Sequence, residues 1–475
     1  MNNLYKTKDM KRLGYVGALM SCAALIACTD YSEHTVFNEQ YPLPEGKELY
    51  RPIEFSGEDW RVDTFAYCYD RMACTENMAI FWEKGFGKDL ANPPQLEGNS
   101  MSVDLENLKT RLEQFYKYYR DELKFVNEGS LSERYRMMVM IQYSLEGTAY
   151  GGTYDNTVGA FWAAPNRLQD KNLNAVAHEL GHSFQLQMQA DGSACWKGGA
   201  GGGFFEMTSQ WMLWQVNPDW IKEEQYHWDA FKQATHKAFL HADNIYRSPY
   251  VLEYWSEKNG KEFIAEMYRQ SYENEDPVQT YQRMKGYAAG ENYKFVDELF
   301  DCYCRLPNLD FKRAYAETRL YANTFESFKP YMTDAGEGWY QVKPERCPEN
   351  YGFNVIPLSV PQAGTMVTAE FKGLQGVDVA PSGCPGYENA WNYVPYYRYG
   401  FVGVTDDGET FMGESGTTDY YNQTSMVFCR LPADKQLKHL YLVVTAGPKD
   451  GHWTLTQLPM AQWPYKVKLS ETSIK

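Results

Sequence analysis

The segment Asn174-Ala175-Val176-Ala177-His178-Glu179-Leu180-Gly181-His182-Ser183-Phe184-Gln185 constrains this chain more than any other. Its His-Glu-x-x-His pattern has chemical meaning only on a helix. At 3.6 residues per turn, His178 and His182 project from one face, one turn apart, and both imidazoles reach a single ion. Glu179 stands beside them, within reach of a water on that ion. Val176, Leu180 and Phe184 supply an apolar stripe to seat the helix on a core. Asn172 or Asn174 is expected to cap its start. A hydrolytic zinc site takes three protein ligands and keeps one position open, so the motif demands a further ligand from elsewhere in the chain.

The sequence offers few candidates for that ligand. A glycine three residues after the second histidine and a third histidine three beyond it would make one known pattern, but Gln185 and Met188 stand there. Asp191 lies only nine residues past His182, near the end of the same helix. Glu206 is the best placed. It follows a glycine-rich turn, residues 198–203, in the first turn of a second helix expected over residues 204–216, which Asn217-Pro218 ends. The glycines let the chain double back, so Glu206, 24 residues after His182, returns to the metal. Gln210, one turn on, shares that face and is read as a hydrogen-bonding support for the ligands. The bland alternative for Glu206 is a helix-start carboxylate favoured by the macrodipole. Glu223 and Glu224 follow in a charged segment and complete the alternatives.

This arrangement resembles the gluzincin class of zinc metallopeptidases, in which His-Glu-x-x-His is followed by Glu on a second helix. The spacing is similar to that of enhancin-like, mucin-targeting peptidases. Further segments resemble secreted zincin-like lipoproteins of Gram-negative gut bacteria: Met78-Ala79-Ile80-Phe81-Trp82, Phe204-Phe205-Glu206, Tyr254-Trp255-Ser256-Glu257-Lys258-Asn259-Gly260 and Asp297-Glu298-Leu299-Phe300-Asp301. The resemblance spans roughly residues 60–310. It implies Zn²⁺ on His178, His182 and Glu206, with Glu179 as the base. It also implies a Tyr or His from the lobe after the metal helix to stabilise the oxyanion. His227, His236, His241, Tyr246, Tyr250 and Tyr254 all qualify. Many gluzincins carry Asp four residues after the third ligand; this chain has Gln210 there.

The N-terminus reads as an export signal. Lys6, Lys8, Lys11 and Arg12 precede an apolar stretch, residues 14–26, that is short for a membrane span. Leu25-Ile26-Ala27-Cys28 resembles a lipobox, which implies cleavage after residue 27, acylation of Cys28 and a lipid anchor in a bacterial, expectedly outer, membrane. Residues 28–60 would be the tether. Of 10 cysteines, Cys68 with Cys74 and Cys347 with Cys384 are candidate pairs in an exported chain. The formal net charge of −16 argues against nucleic acid, whose phosphates need a basic footprint.

Residues 103–125 carry Leu105, Leu108, Leu112, Phe115, Tyr119 and Leu123 at helical spacing. Residues 136–143 and 158–163 read as strands, with a turn-rich loop over 148–153. The second strand is expected at the sheet edge, free to pair with an extended peptide. Helical segments fill residues 224–325. Near residue 331 the texture changes to short strands separated by turns. The expected fold is therefore an α+β zincin-like catalytic domain, residues 61–325, built from a mixed sheet, the metal helix and a helical lobe. An all-β sandwich domain follows over residues 331–470. Exposed Trp391, Tyr393, Tyr396 and Tyr397 could there contact glycan. The expected function is a zinc endopeptidase acting on protein or glycoprotein at the bacterial surface. Its rival is a non-catalytic glycan- or protein-binding lipoprotein that keeps a zincin-like shell.

Overall fold

The structure, a computed structural model, describes residues 45–197, 201–375, 387–389, 393–451 and 460–475. The residues read as an export signal, Cys28, most of the expected tether, residues 198–200, Cys384 and Trp391 lie outside the described residues. Mixed helices and sheets make the protein α+β.

The first half is organised by strands β1 (Met72–Cys74), β2 (Met78–Trp82), β3 (Met137–Ile141), β4 (Ala149–Tyr154) and β5 (Val158–Ala163). They form one sheet in the order β1-β2-β3-β5-β4, with β2, β3 and β5 parallel and both outer strands antiparallel. Every residue of β2 and β3 is buried, as expected of strands covered on both faces. One cover is the aromatic segment with Phe55, Trp60, Phe65 and Tyr67, where Trp60 meets Phe81 at 5.1 Å and Phe55 meets Tyr154 at 6.1 Å. The other is helical: α1 (Leu105–Lys117), α2 (Leu131–Arg134) and α3 (Asn174–Ala190). In α1 the Asp104 carboxylate accepts from Asn107 N at 2.9 Å, and Leu108, Leu112 and Phe115 turn inward. The helix expected to run to residue 125 leaves α geometry at Lys117 and closes with a π turn, Tyr118–Glu122.

Two expectations about the sheet are corrected. Residues 148–153, read as a loop, are largely strand β4. The glycines Gly151 and Gly152 mask its alternation without preventing pairing. The expected edge strand β5 is internal, paired with β3 on one side and β4 on the other. The exposed edge belongs to β4.

After α3 come α4 (Gly202–Val216), α5 (Trp220–Glu223), α6 (Tyr226–Ala234), α7 (Tyr250–Asn259), α8 (Phe263–Gln270), α9 (Pro277–Met284), α10 (Asn292–Arg305) and α11 (Tyr315–Thr318). Asp276 and Gln279 form a full capping box at α9.

The remaining strands are β6 (Met332–Asp334), β7 (Trp339–Val342), β8 (Phe353–Leu358), β9 (Met366–Gly373), β10 (Tyr387–Asn389), β11 (Pro395–Thr405), β12 (Thr410–Thr418), β13 (Ser425–Arg430), β14 (Leu437–Pro448), β15 (Met460–Gln462) and β16 (Tyr465–Ser470). A four-stranded sheet, β12-β11-β14-β8, and a five-stranded sheet, β13-β9-β16-β7-β6, share one buried cluster that includes Phe401, Leu442, Phe371 and Val467. The opposite face of the four-stranded sheet is also buried. Tyr396, Val402, Tyr441 and Val443 join the same core as the helices. Tyr396 and Tyr397, expected on an exposed platform, are therefore core residues of a strand covered on both faces: Tyr397 donates to Pro464 O at 2.8 Å and Tyr396 to Asp297 at 3.0 Å. Tyr393 is exposed. Cys68, Cys74 and Cys347 carry no disulfide, so the expected Cys68–Cys74 pair does not form.

Candidate metal centre

The metal-motif helix forms over Asn174–Ala190 and is fastened along its length. Neither Asn172 nor Asn174 caps it. Leu173, with φ 55°, sits at the cap, and Asp170 supplies the acceptor for Asn174 N at 3.3 Å. Asn174 instead donates to Glu223 and Glu224. Tyr119 OH donates to Ala177 O at 2.9 Å, Ser183 Oγ to Ala160 O at 2.8 Å, and Gly159 N to Gln187 Oε1 at 2.7 Å. These bonds tie α3 to the π turn that follows α1 and to strand β5.

Two glycines bring neighbours unusually close. A Cβ at Gly151 would lie 2.2 Å from Glu179 O and 2.6 Å from His182 Cβ, so edge strand β4 runs directly over the motif. A Cβ at Gly181 would lie 2.4 Å from Ser209 Oγ and 3.3 Å from Ser209 Cα, so α4 crosses α3 at that point. Ser209 Oγ donates to His178 O across the crossing. The turn between the helices begins with Cys195 and Trp196 in the left-handed region, at φ 45° and 52°. That strain is held by Trp196, fully buried against Phe204 and Tyr268 and donating to Thr280 Oγ1 at 2.8 Å.

The crossing delivers Glu206 to the histidines. Glu206 Oε2 lies 3.2 Å from His178 Nε2 and 3.1 Å from His182 Nε2, and the two Nε2 atoms are 3.1 Å apart. Three donor atoms thus form a nearly equilateral triangle around one point. Burial alone would lower the His182 pKa; the Glu206 carboxylate and then Glu179 reverse this and raise it. Burial would raise the Glu206 carboxyl, but hydrogen bonds and charge from both imidazoles hold it well below the usual carboxylate range. Glu179 also offers a carboxylate within 4.8 Å of the imidazole donors. It hydrogen-bonds neither ring, and its place next to His178 turns it about 100° around the helix. Glu206 therefore completes a three-donor group with the two imidazoles. Among the described residues, His178, Glu179 and His182 form a group that could hold a metal ion, and Glu206 brings a further carboxylate to both imidazoles.

The support for His182 comes from Gln185. His182 Nδ1 lies 3.1 Å from Gln185 Oε1, while Gln185 Nε2 donates to Phe205 O at 3.1 Å. The Phe205 carbonyl fixes the amide's orientation, so His182 must donate from Nδ1–H, leaving the Nε2 lone pair for an ion. Gln210, expected beside the ligands, does something else. It is 4 % exposed and its Nε2 donates to Tyr246 O at 3.1 Å.

That bond singles out Tyr246 among the six oxyanion candidates. Its ring lies 6.0 Å from that of His178, and it is 44 % exposed. The other five have these surroundings. His227 pairs with Glu224 at 3.2 Å, His236 is buried, and His241 Nδ1 accepts from Asp243 N. Tyr250 is buried among Trp214, Trp228 and Phe231, and Tyr254 lies under Lys258 and Arg305. The alternative third ligands are also occupied: Asp191 accepts from Leu131 N and Ser130 Oγ, and Glu224 from Trp220 Nε1.

No curated protein and no solved structure matches the chain. A family described as "Family of unknown function (DUF6055)" matches residues 43–475, which takes in the His-Glu-x-x-His motif, the helices and the C-terminal sheets. The chain belongs to the DUF6055 family.

Proposed function

We propose that this protein is a zinc-dependent endopeptidase with a zincin-like catalytic half and a C-terminal β-sandwich. In this reading it is exported, anchored through a lipid on Cys28 to a bacterial outer membrane, and acts on protein or glycoprotein. The observation that carries the reading is the donor triangle of His178, His182 and Glu206. Tetrahedral zinc with bonds of about 2.0–2.1 Å places its ligand atoms about 3.3 Å apart. The observed edges of 3.1, 3.1 and 3.2 Å fit that donor set. When bound there, zinc supplies Lewis acidity and brings the pKa of water towards about 7.

The chain's own residues supply the rest. Glu179 takes a proton from the attacking water and passes it to the leaving amine. Tyr246 OH donates to the developing oxyanion, held by the Gln210 bond to its backbone. The free edge of β4, lying over the motif, pairs with the substrate backbone, and Gly151 keeps strand and helix in contact. A structural ion site would not need Glu179. The test is Glu179→Gln beside His178→Ala, with metal analysis and digestion of casein and a mucin-type glycoprotein. Glu179→Gln should keep one equivalent of zinc and lose cleavage, and His178→Ala should lose both. A wild type that takes up no zinc would end this reading.

A further inference from the structure

Tyr246 sits on a long connection, residues 235–249, between α6 and α7. Part of its shape is internal. Asn244 Nδ2 donates to Ala234 O and Ala238 O at 3.1 and 3.0 Å, and Ser248 Oγ to Phe239 O and Asn244 O, both at 3.0 Å. The rest comes from the chain just ahead of β8, in the C-terminal β region. Glu349 N donates to His236 O at 2.7 Å and Phe353 N to Thr235 O at 2.8 Å. The Arg346 guanidinium donates to Gln233 O. The Glu349 side chain, 0 % exposed, accepts from Ala238 N at 2.7 Å. Its other oxygen lies 3.9 Å from His241 Nε2. Because His241 Nδ1 accepts from Asp243 N at 3.0 Å, a neutral His241 carries its proton on Nε2, facing Glu349.

The far side of the same connection rests on the metal centre. A Cβ at Gly203 of α4 would lie 2.8 Å from Ile245 Cγ2, Gln210 grips Tyr246 O, and the Tyr246 ring faces His178. One short segment is thus clamped between the ligand helices and a fully buried carboxylate of the β region. Burying a carboxylate without exposure is costly unless it is hydrogen-bonded, and these bonds go to the segment that carries Tyr246.

We infer that Glu349 is a positioning residue for Tyr246, so that the C-terminal β region is a working part of the hydrolytic site. The inference rests on the metallopeptidase reading for its catalytic consequence, but the clamp itself does not. The full-length soluble chain, loaded with zinc, is compared as wild type, Glu349→Ala, Glu349→Asp and Glu349→Gln, each with and without Tyr246→Phe. Fluorescent casein is the substrate, and hydrogen exchange of residues 236–249 is the independent readout.

Displacing a catalytic donor by about 1 Å can cost up to about 100-fold. Glu349→Ala should therefore lower kcat at least about tenfold with zinc content unchanged. The shorter Glu349→Asp should follow it, while Glu349→Gln, which keeps the acceptor for Ala238 N, should restore most of the rate. In the Tyr246→Phe background the Glu349→Ala loss should shrink to less than about twofold, because the two residues act through one group. An undiminished loss in that background, or no loss in either Glu349→Ala or Glu349→Asp, would overturn the inference. If the wild type binds zinc but cleaves nothing, the peptidase reading fails, and exchange alone decides the clamp. Faster exchange of 236–249 in Glu349→Asp than in Glu349→Gln upholds it, and equal exchange overturns it.

Discussion

At the scale of single residues, His182 depends on Gln185 for its orientation, and the dependence is measurable. Gln185→Ala should leave the fold intact and weaken zinc binding about 10- to 100-fold, the usual cost of removing a ligand's hydrogen-bond partner, as read by competition with a chromophoric chelator. Tyr246→Phe should lower kcat about 100- to 1,000-fold with zinc content unchanged, the range for one oxyanion donor. The shifted pKa values predict opposite pH trends for the two states of the protein. Without metal, the raised His182 pKa contributes stability that is full below about 6.5 and lost as pH rises through the raised value. The lowered Glu206 pKa contributes stability present above about 4.3 and lost as pH falls through the lowered value. The metal-free protein should therefore melt higher at pH 5.5 than at pH 8, and His182→Ala should shrink that difference. The stabilisation conferred by zinc should grow from pH 5.5 to pH 8, because zinc needs neutral imidazole. Melting curves with chelator and with zinc at both values check this. The grouping of His178, Glu179, His182 and Glu206 is legible in the sequence because helical periodicity brings the first three together and the glycine run before α4 lets the chain return to them. Gln185 carries no such mark: it is one turn from His182 on the same helix, but only the Phe205 carbonyl reveals which way its amide faces.

At the scale of elements, the centre exists because three backbones approach closely. Gly181→Ala would gain up to about 1 kcal/mol in helix propensity. It would also drive a methyl group against Ser209 Oγ and Cα, where overpacking costs about 1–3 kcal/mol. The steric term wins, because α4 cannot yield without carrying Glu206 away from the histidines. Gly181→Ala should lower both stability and zinc affinity, read by denaturant titration and chelator competition, and Ser209→Gly should recover part of the loss. Strand β4 shows why the edge is hidden in the sequence. Its Ala-Tyr-Gly-Gly-Thr-Tyr text reads as a turn, but Gly151 serves contact with α3 and Gly152 faces Trp162 of β5. Helix α6 stops at Ala234 because residues 235–249 bond to Glu349 and Phe353 instead of continuing the helix.

At the scale of the larger fold, the helical region and one face of the four-stranded sheet share a buried cluster. Val355, Val402, Tyr441 and Val443 pack in the same buried cluster as Val296 and Leu299 of α10, and Asn292 bonds Tyr351 OH at 2.7 Å. Residues 43–475 form one compact unit and should unfold in a single calorimetric transition; two separated transitions would contradict that coupling. The change of texture near residue 331 is visible in the sequence because strand and helix periods differ locally. The second buried face of β11 is not, because a strand covered on both sides looks the same whether a sheet or a helix provides the cover. The sequence by itself marked His178, Glu179, His182 and Glu206 as candidates for a metal centre and indicated the α+β character, because both follow from local spacing and periodicity. Only the tertiary structure decided that Tyr246 among six candidates faces His178, that β4 is the open edge, and that Glu349 reaches back to hold the Tyr246 segment. Those choices rest on contacts between residues up to about a hundred positions apart, and no local pattern encodes which distant partner a side chain will meet.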